Sequence, residues 1–138
     1  MSAQGTLTQT FDAFNRHDAD AFAALYAPDA VVYDPQYAEP LQGREAIRKD
    51  MEDFFASFPD VQATLSNVLT SDDIVACEME LTGTNKGPIL TPTGTLAATN
   101  RQFRMPGSRF AHVNEQGLIT MERRYFDMAA LMQQLELA

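Results

Sequence analysis

The sequence predicts an α+β fold: a curved antiparallel β-sheet wrapped around N-terminal helices, with a conical cavity between them. Two observations carry this. Up to Pro59 the apolar residues recur mainly at helical spacing, and from Val61 onward they alternate with polar ones at a period of two. The second half also carries turn signals between its periodic runs, as consecutive antiparallel strands require. A sheet curled in this way leaves an apolar pocket between its concave face and the helices.

Each element can be justified in order. Leu7, Phe11 and Phe14 share one helical face, closed by the polar run Asn15-Arg16-His17. Asp18 reads as the cap of a second helix with Phe22, Leu25 and Tyr26 on its apolar side. Pro28-Asp29 is a turn, and Ala30–Asp34 a short strand stopped by Pro35. After a loop from Gln36 to Gln42, Gly43 opens the strongest helix. Ile47, Met51, Phe54, Phe55 and Phe58 form its stripe, and Pro59-Asp60 ends it. Val61, Ala63 and Leu65 then alternate with polar residues up to the turn Ser71-Asp72-Asp73. Val75, Cys77, Met79 and Leu81 alternate with Ala76, Glu78, Glu80 and Thr82, which places the glutamates on the convex face. Gly83 to Gly94 reads as a mobile loop rich in Gly, Pro, Thr and Asn. Asn100 to Val113 is a long strand with a bulge or bend at Pro106-Gly107. Asn114-Glu115-Gln116-Gly117 turns the chain into a final strand ending at Asp127. Strict alternation puts Ile119, Met121, Arg123, Tyr125 and Asp127 on one face of it. Met128, Leu131, Met132 and Leu135 form the stripe of a short terminal helix.

Composition limits the function. A chain of 138 residues suits one domain, spanning residues 1–138. Its net charge of −9 argues against nucleic acid or an anionic membrane as partner, because both need basic patches. A single cysteine, Cys77, permits no internal disulfide, and with only His17 and His112 beside it the sequence argues against a zinc site. No run is apolar enough to span a membrane and no signal segment is evident, so a cytoplasmic protein is the default expectation.

Asp127, at the junction of the last strand and helix, has two readings. It is a helix cap, or it is a carboxylate at the cavity rim that moves protons. The roles conflict, because capping amides favour the charged form and acid/base work calls for a raised pKa. Phe55, Phe58, Met105, Met121 and Tyr125 suggest an apolar cavity that accepts aromatic groups, although three phenylalanines on one stripe are equally core residues. Arg104, Arg109 and Arg123 are candidates to reach inward and pair with a carboxylate or enolate.

At this point the residues resemble a known superfamily. The run Phe11-Asp-Ala-Phe-Asn-Arg-His-Asp-Ala-Asp-Ala-Phe, with Tyr26-Ala-Pro-Asp-Ala-Val-Val-Tyr-Asp-Pro and Gly43-Arg-Glu-Ala-Ile, resembles nuclear transport factor 2-like proteins. Thr91-Pro-Thr-Gly94, Glu115-Gln-Gly-Leu-Ile119, Tyr125-Phe-Asp-Met and Gln133-Gln-Leu-Glu-Leu137 resemble the SnoaL-like polyketide cyclase branch. The resemblance implies a cystatin-like α+β barrel that acts without metal or cofactor on a small apolar or aromatic carbonyl compound. It further implies a homodimer paired through the sheet. In that branch a carboxylate at the end of the last strand is the acid/base for intramolecular aldol closure, a role that falls on Asp127.

A pocket histidine also belongs to that pattern, and His112 is the candidate. If Val113 pairs with Leu118, His112 shares the face of Asp127. If Gly117 forms a bulge and Asn114 pairs with Leu118, His112 turns away and Ala111 and Val113 face the pocket. Ketosteroid isomerase is a second relative. Its base follows the first strand before a proline, which Asp34 in Val32-Tyr-Asp-Pro35 resembles, although Asp-Pro is also a plain strand end. The isomerase's oxyanion tyrosine has no counterpart on the first helix, and the place of its strand aspartate falls near Arg109. A non-catalytic binding or dimerisation domain is the remaining alternative.

Overall fold

The computed structural model describes residues 2–137. Helix α1 spans Ala3–Asn15 and buries Leu7, Phe11 and Phe14, the stripe expected of it. Asp18 caps α2, accepting from Ala21 N–H at 2.9 Å, but that helix covers only Ala19–Ala23. Leu25 and Tyr26 therefore lie outside it, and Tyr26 begins strand β1, Tyr26–Tyr33. Strand β2 (Leu41–Gln42) precedes α3 (Arg44–Ser57), whose N-cap is Gly43.

The remaining strands are β3 (Gln62–Ser71), β4 (Ile74–Thr84), β5 (Ile89–Thr91), β6 (Gly94–Leu96), β7 (Gln102–Val113) and β8 (Ile119–Phe126). Helix α4 (Met128–Gln134) follows. Six strands form one sheet in the order β2-β1-β8-β7-β4-β3, antiparallel throughout except for the parallel pair β1–β8. Strands β5 and β6 form a separate hairpin that begins inside the Gly83–Gly94 stretch expected to be a loop and runs on to Leu96. Its base is tied down by the buried Asn85, which donates to the Ser57 and Gly87 carbonyls and accepts from the Thr99 amide.

Two backbone details decide which residues face the cavity. At the β7–β8 turn, Gly117 has φ of 79° and Asn114 N–H donates to Leu118 O at 2.9 Å. This is the bulged alternative. Ala111 and Val113 are buried, and His112 turns to the other side. On β8 itself, Val113 pairs with Ile119 but His112 pairs with Met121, so Thr120 is an extra residue. A one-residue insertion exchanges the faces beyond it. Ile119 and then Glu122, Arg124 and Phe126 consequently face inward, and Arg123 and Tyr125 face out. The strict alternation expected for this strand fails at Thr120.

Pro106-Gly107 carries no bulge, since β4 and β7 stay in register from Ile74↔His112 to Thr84↔Gln102. Strand β8 stops pairing where Phe126 meets Gly107, one residue short of Pro106, which has no N–H to offer.

Candidate active site

The concave face of the sheet and the three N-terminal helices enclose a narrow cavity of about 70 Å³. Helices α1, α2 and α3 contribute Phe11, Phe14, Phe22, Met51 and Phe54. The sheet contributes Met79, Leu81 and Met105. Gly107 keeps the wall thin, because a Cβ there would sit 3.1 Å from Tyr125 O and 3.3 Å from Met79 Cε. Unbranched methionines on three sides can repack around a ligand. Against this apolar lining stand three charged side chains: Asp34, Arg109 and Arg124.

These three belong to a buried ionic network that crosses the cavity wall. Arg109 donates to Glu122 through Nε at 2.8 Å and Nη2 at 3.1 Å, and to Thr10 Oγ1 through Nη1 at 2.9 Å. Arg124 donates to Glu122 through Nε at 3.0 Å. Its Nη1 donates to both Asp34 Oδ2 and Asp50 Oδ2, each at 3.0 Å. Tyr26 hydroxyl closes on Glu122 Oε1, and Tyr37 hydroxyl donates to Asp50 Oδ1 at 2.5 Å. Asp34 also accepts the Gln36 amide at 2.8 Å, which fixes the chain as it leaves β1.

The charge balance explains the titration behaviour. Three carboxyls meet two guanidiniums, so a fully ionised network carries one excess negative charge. Glu122 is fully buried, which pushes its carboxyl up, yet Arg109 and Arg124 outweigh burial and hold it at about 2. Asp50 goes the other way. Burial, reinforced by Asp34, raises it against the opposing pull of Arg124 and the Tyr37 hydroxyl. Burial, and then the neighbouring Glu122, pushes the Tyr26 hydroxyl far up, so it serves as a hydrogen-bond donor and not as a base.

The residues singled out from sequence fall into separate places. Asp34 and Met105 line the cavity. Tyr125 does not: it is 52 % exposed on the opposite face, edge-on to Phe110. Met121 is on that face too, opposite His112. Asp127 is exposed and caps α4, accepting from Ala130 N–H at 3.1 Å. Phe55 does not line the cavity but stacks on His17 with ring centroids 4.7 Å apart, and Phe58 is core against Phe54 and Phe103. Phe54, their neighbour on the helix, is the phenylalanine of α3 that reaches the cavity.

Asp34, Tyr125 and Asp127 do meet, in an open depression of about 680 Å³ on the outer side, together with Tyr33, Tyr37 and Arg123. Asp34, Arg124 and Phe126 form the partition between this depression and the inner cavity. Of the arginines named from sequence, Arg109 reaches inward. Arg123 lies over the Tyr33 ring at 4.3 Å, and Arg104 pairs with Glu80 on the outside.

Glu122, Arg124, Asp50, Tyr26 and Tyr37 were not anticipated. One signal was present for Asp50: with Ile47, Met51 and Phe54 it occupies i, i+3, i+4 and i+7, a charge on an apolar stripe. Such a charge is tolerated only when paired.

A cone of curved sheet closed by helices, apolar inside with a charged partition on one wall, defines a small-molecule-binding domain of the nuclear transport factor 2-like, ketosteroid isomerase-like class. The chain belongs to the SnoaL-like polyketide cyclase family, whose model matches residues 5–135. Among solved structures it is similar to IdmH, a putative polyketide cyclase from Streptomyces antibioticus. That match has 26% identity, 99% of each chain covered and a TM-score of 0.79. It is also similar to a putative polyketide cyclase from Xanthomonas campestris pv. campestris, with 25% identity, 96% of each chain covered and a TM-score of 0.77. A ketosteroid isomerase-like protein from Catenulispora acidiphila, solved in complex with trimethylamine, shares the fold. It has 22% identity and a TM-score of 0.79, with 96% of this chain and 93% of that one covered. No curated protein matches the sequence. Among the described residues, no helix is long and apolar enough to cross a membrane.

Proposed function

We propose that the protein is a small-molecule enzyme that catalyses proton transfer at an enolisable carbonyl compound, with Asp34 as the acid/base. The carrying observation is that Asp34 is the carboxylate in the wall of the apolar cavity, beside Arg124 at 3.0 Å. Asp34 takes a proton from the carbon next to the carbonyl. In the aldol-cyclase form of the reaction, the enolate carbon then attacks a second carbonyl of the same molecule. One C–C bond forms, and the new alkoxide receives the proton back from Asp34. The isomerase form shares the first step and returns the proton to another carbon. Family membership favours ring closure, and the cavity favours an apolar, planar substrate. The proton transfers use the chain's own side chains.

Deuterium uptake from D2O into 2-tetralone, followed by NMR, tests this. Asp34→Asn keeps the shape and should reduce the catalysed exchange by about a hundredfold or more, the scale of a lost general base. Exchange at the wild-type rate would remove Asp34 from the mechanism.

We further propose a homodimer formed through the outer face of the sheet, where Phe110 and Tyr125 expose much of their rings. Light scattering across a dilution series checks this, and a monomer at all concentrations would exclude it.

A further inference from the structure

We propose that Arg124 is a second catalytic group, whose Nη2 binds the substrate's carbonyl oxygen as that oxygen becomes an enolate; this rests on the Asp34 reading above. Among the described residues, Arg124 Nη2 is the one buried side-chain nitrogen or oxygen without a hydrogen-bond partner. A buried donor left unpaired is costly, so native structures keep few of them. The other nitrogens of this guanidinium are committed, Nε to Glu122 and Nη1 to Asp34 and Asp50. Arg109, the other cation in the cavity wall, has a partner on each of its three nitrogens: Nε, Nη1 and Nη2 donate to Glu122, Thr10 or Tyr26. Of the two arginines in the cavity wall, Arg124 is the one with a nitrogen that has no partner.

The arrangement is prepared for charge development. Three carboxyls clamp the Arg124 side chain, which is 7% exposed. A donor fixed in a water-poor site stabilises a developing anion without having to reorient. Asp34 sits on one terminal nitrogen, so a ligand oxygen on the other lies beside the base. An enolisable ketone presents its acidic hydrogen and its oxygen on neighbouring carbons, H–C–C=O, and can address both at once.

The same geometry selects a ligand that arrives uncharged. The network already holds three carboxyls against two guanidiniums, and a permanently ionised carboxylate would add a fourth negative group. The substrate class is therefore a neutral, planar, enolisable ketone, whose negative charge appears only as Asp34 takes up the proton.

The test uses 2-naphthol, whose phenolate imitates an enolate, and the Asp34→Asn protein, whose amide imitates protonated Asp34. An ultraviolet pH titration of the bound ligand should show naphtholate appearing about two pH units below where free naphthol ionises, a hundredfold shift in ionisation. Arg124→Lys in the same background should reverse at least tenfold of that shift, read on protein whose thermal melt shows it folded. A second measurement leaves Arg124 in place: in 15N-arginine-labelled Asp34→Asn protein, the Arg124 Nη resonances should move on adding 2-naphthol and stay fixed with naphthalene. Naphthol that does not bind, or binds with its ionisation unshifted and those resonances unmoved, would overturn the proposal. The Asp34 reading would then still stand if Asp34→Asn abolishes exchange. Conversely, bound naphtholate with moved Arg124 resonances supports the anion site even if exchange survives in Asp34→Asn.

Discussion

The two faces of strand β8 are built from adjacent residues and behave as different materials. Inward, Glu122 and Arg124 are buried, each held by several charge-assisted hydrogen bonds, and they share their partners with Asp34, Asp50 and Arg109. Outward, Arg123 and Tyr125 are exposed; Arg123 rests on the Tyr33 ring and Tyr125 on Phe110. The residue types barely differ, an arginine on each side. What differs is the surroundings. On the inner side water is excluded, so each charge is balanced by protein. On the outer side solvent balances it, and a pair contributes little.

Breaking the inner face should have the largest effect. Glu122→Gln removes the carboxylate that pairs with the buried Arg109 and one of the three around Arg124, and should lower the unfolding free energy by about 3–5 kcal/mol in urea titration. Arg123→Gln, one residue along, should stay within about 0.5 kcal/mol. Equal losses would mean that the two faces are not distinct.

Acid probes the same contrast without mutation. The Glu122 carboxyl drops from an ordinary 4.5 to about 2 on folding. Its contribution is therefore complete above pH ~4.5 and is lost as pH falls toward ~2, an effect of roughly 3 kcal/mol. Asp50, raised by burial, works in the opposite sense: its ionisation weakens the fold as pH rises through its folded-state value. Urea midpoints between pH 2 and 5 should fall on the acid side in the wild type. In Glu122→Gln that slope should be shallower.

The carboxylates at the ends of the two neighbouring strands sharpen the comparison in activity. Asp34→Asn is expected to slow exchange into 2-tetralone about a hundredfold. Asp127→Asn should leave both exchange and melting temperature nearly unchanged, because Asn and Asp cap helices about equally well. A large activity loss in Asp127→Asn would return the acid/base role to the outer depression. The smallest effect is expected from Tyr125→Ser, within about 0.5 kcal/mol of monomer stability, with any further change appearing as weakened self-association.

Some of this was determined locally. The apolar stripe of α1, the Asp18 and Asp127 caps, the Gly43 start of α3 and the periods of β3 and β4 follow from side-chain spacing and turn chemistry, which act over a few residues. So does Asp34, put at the end of β1 by the proline after it. The tertiary structure decided the rest. Where Thr120 bulges depends on how β8 pairs with β7 and β1, and that one extra residue turned Tyr125 outward and Arg124 inward. The Asp34–Arg124–Asp50 contact joins β1, β8 and α3, residues 74 and 90 positions apart for the two ion pairs. Spacing within a segment carries no information about such a pairing. It is set when the sheet curls over the helices and the buried charges must find one another.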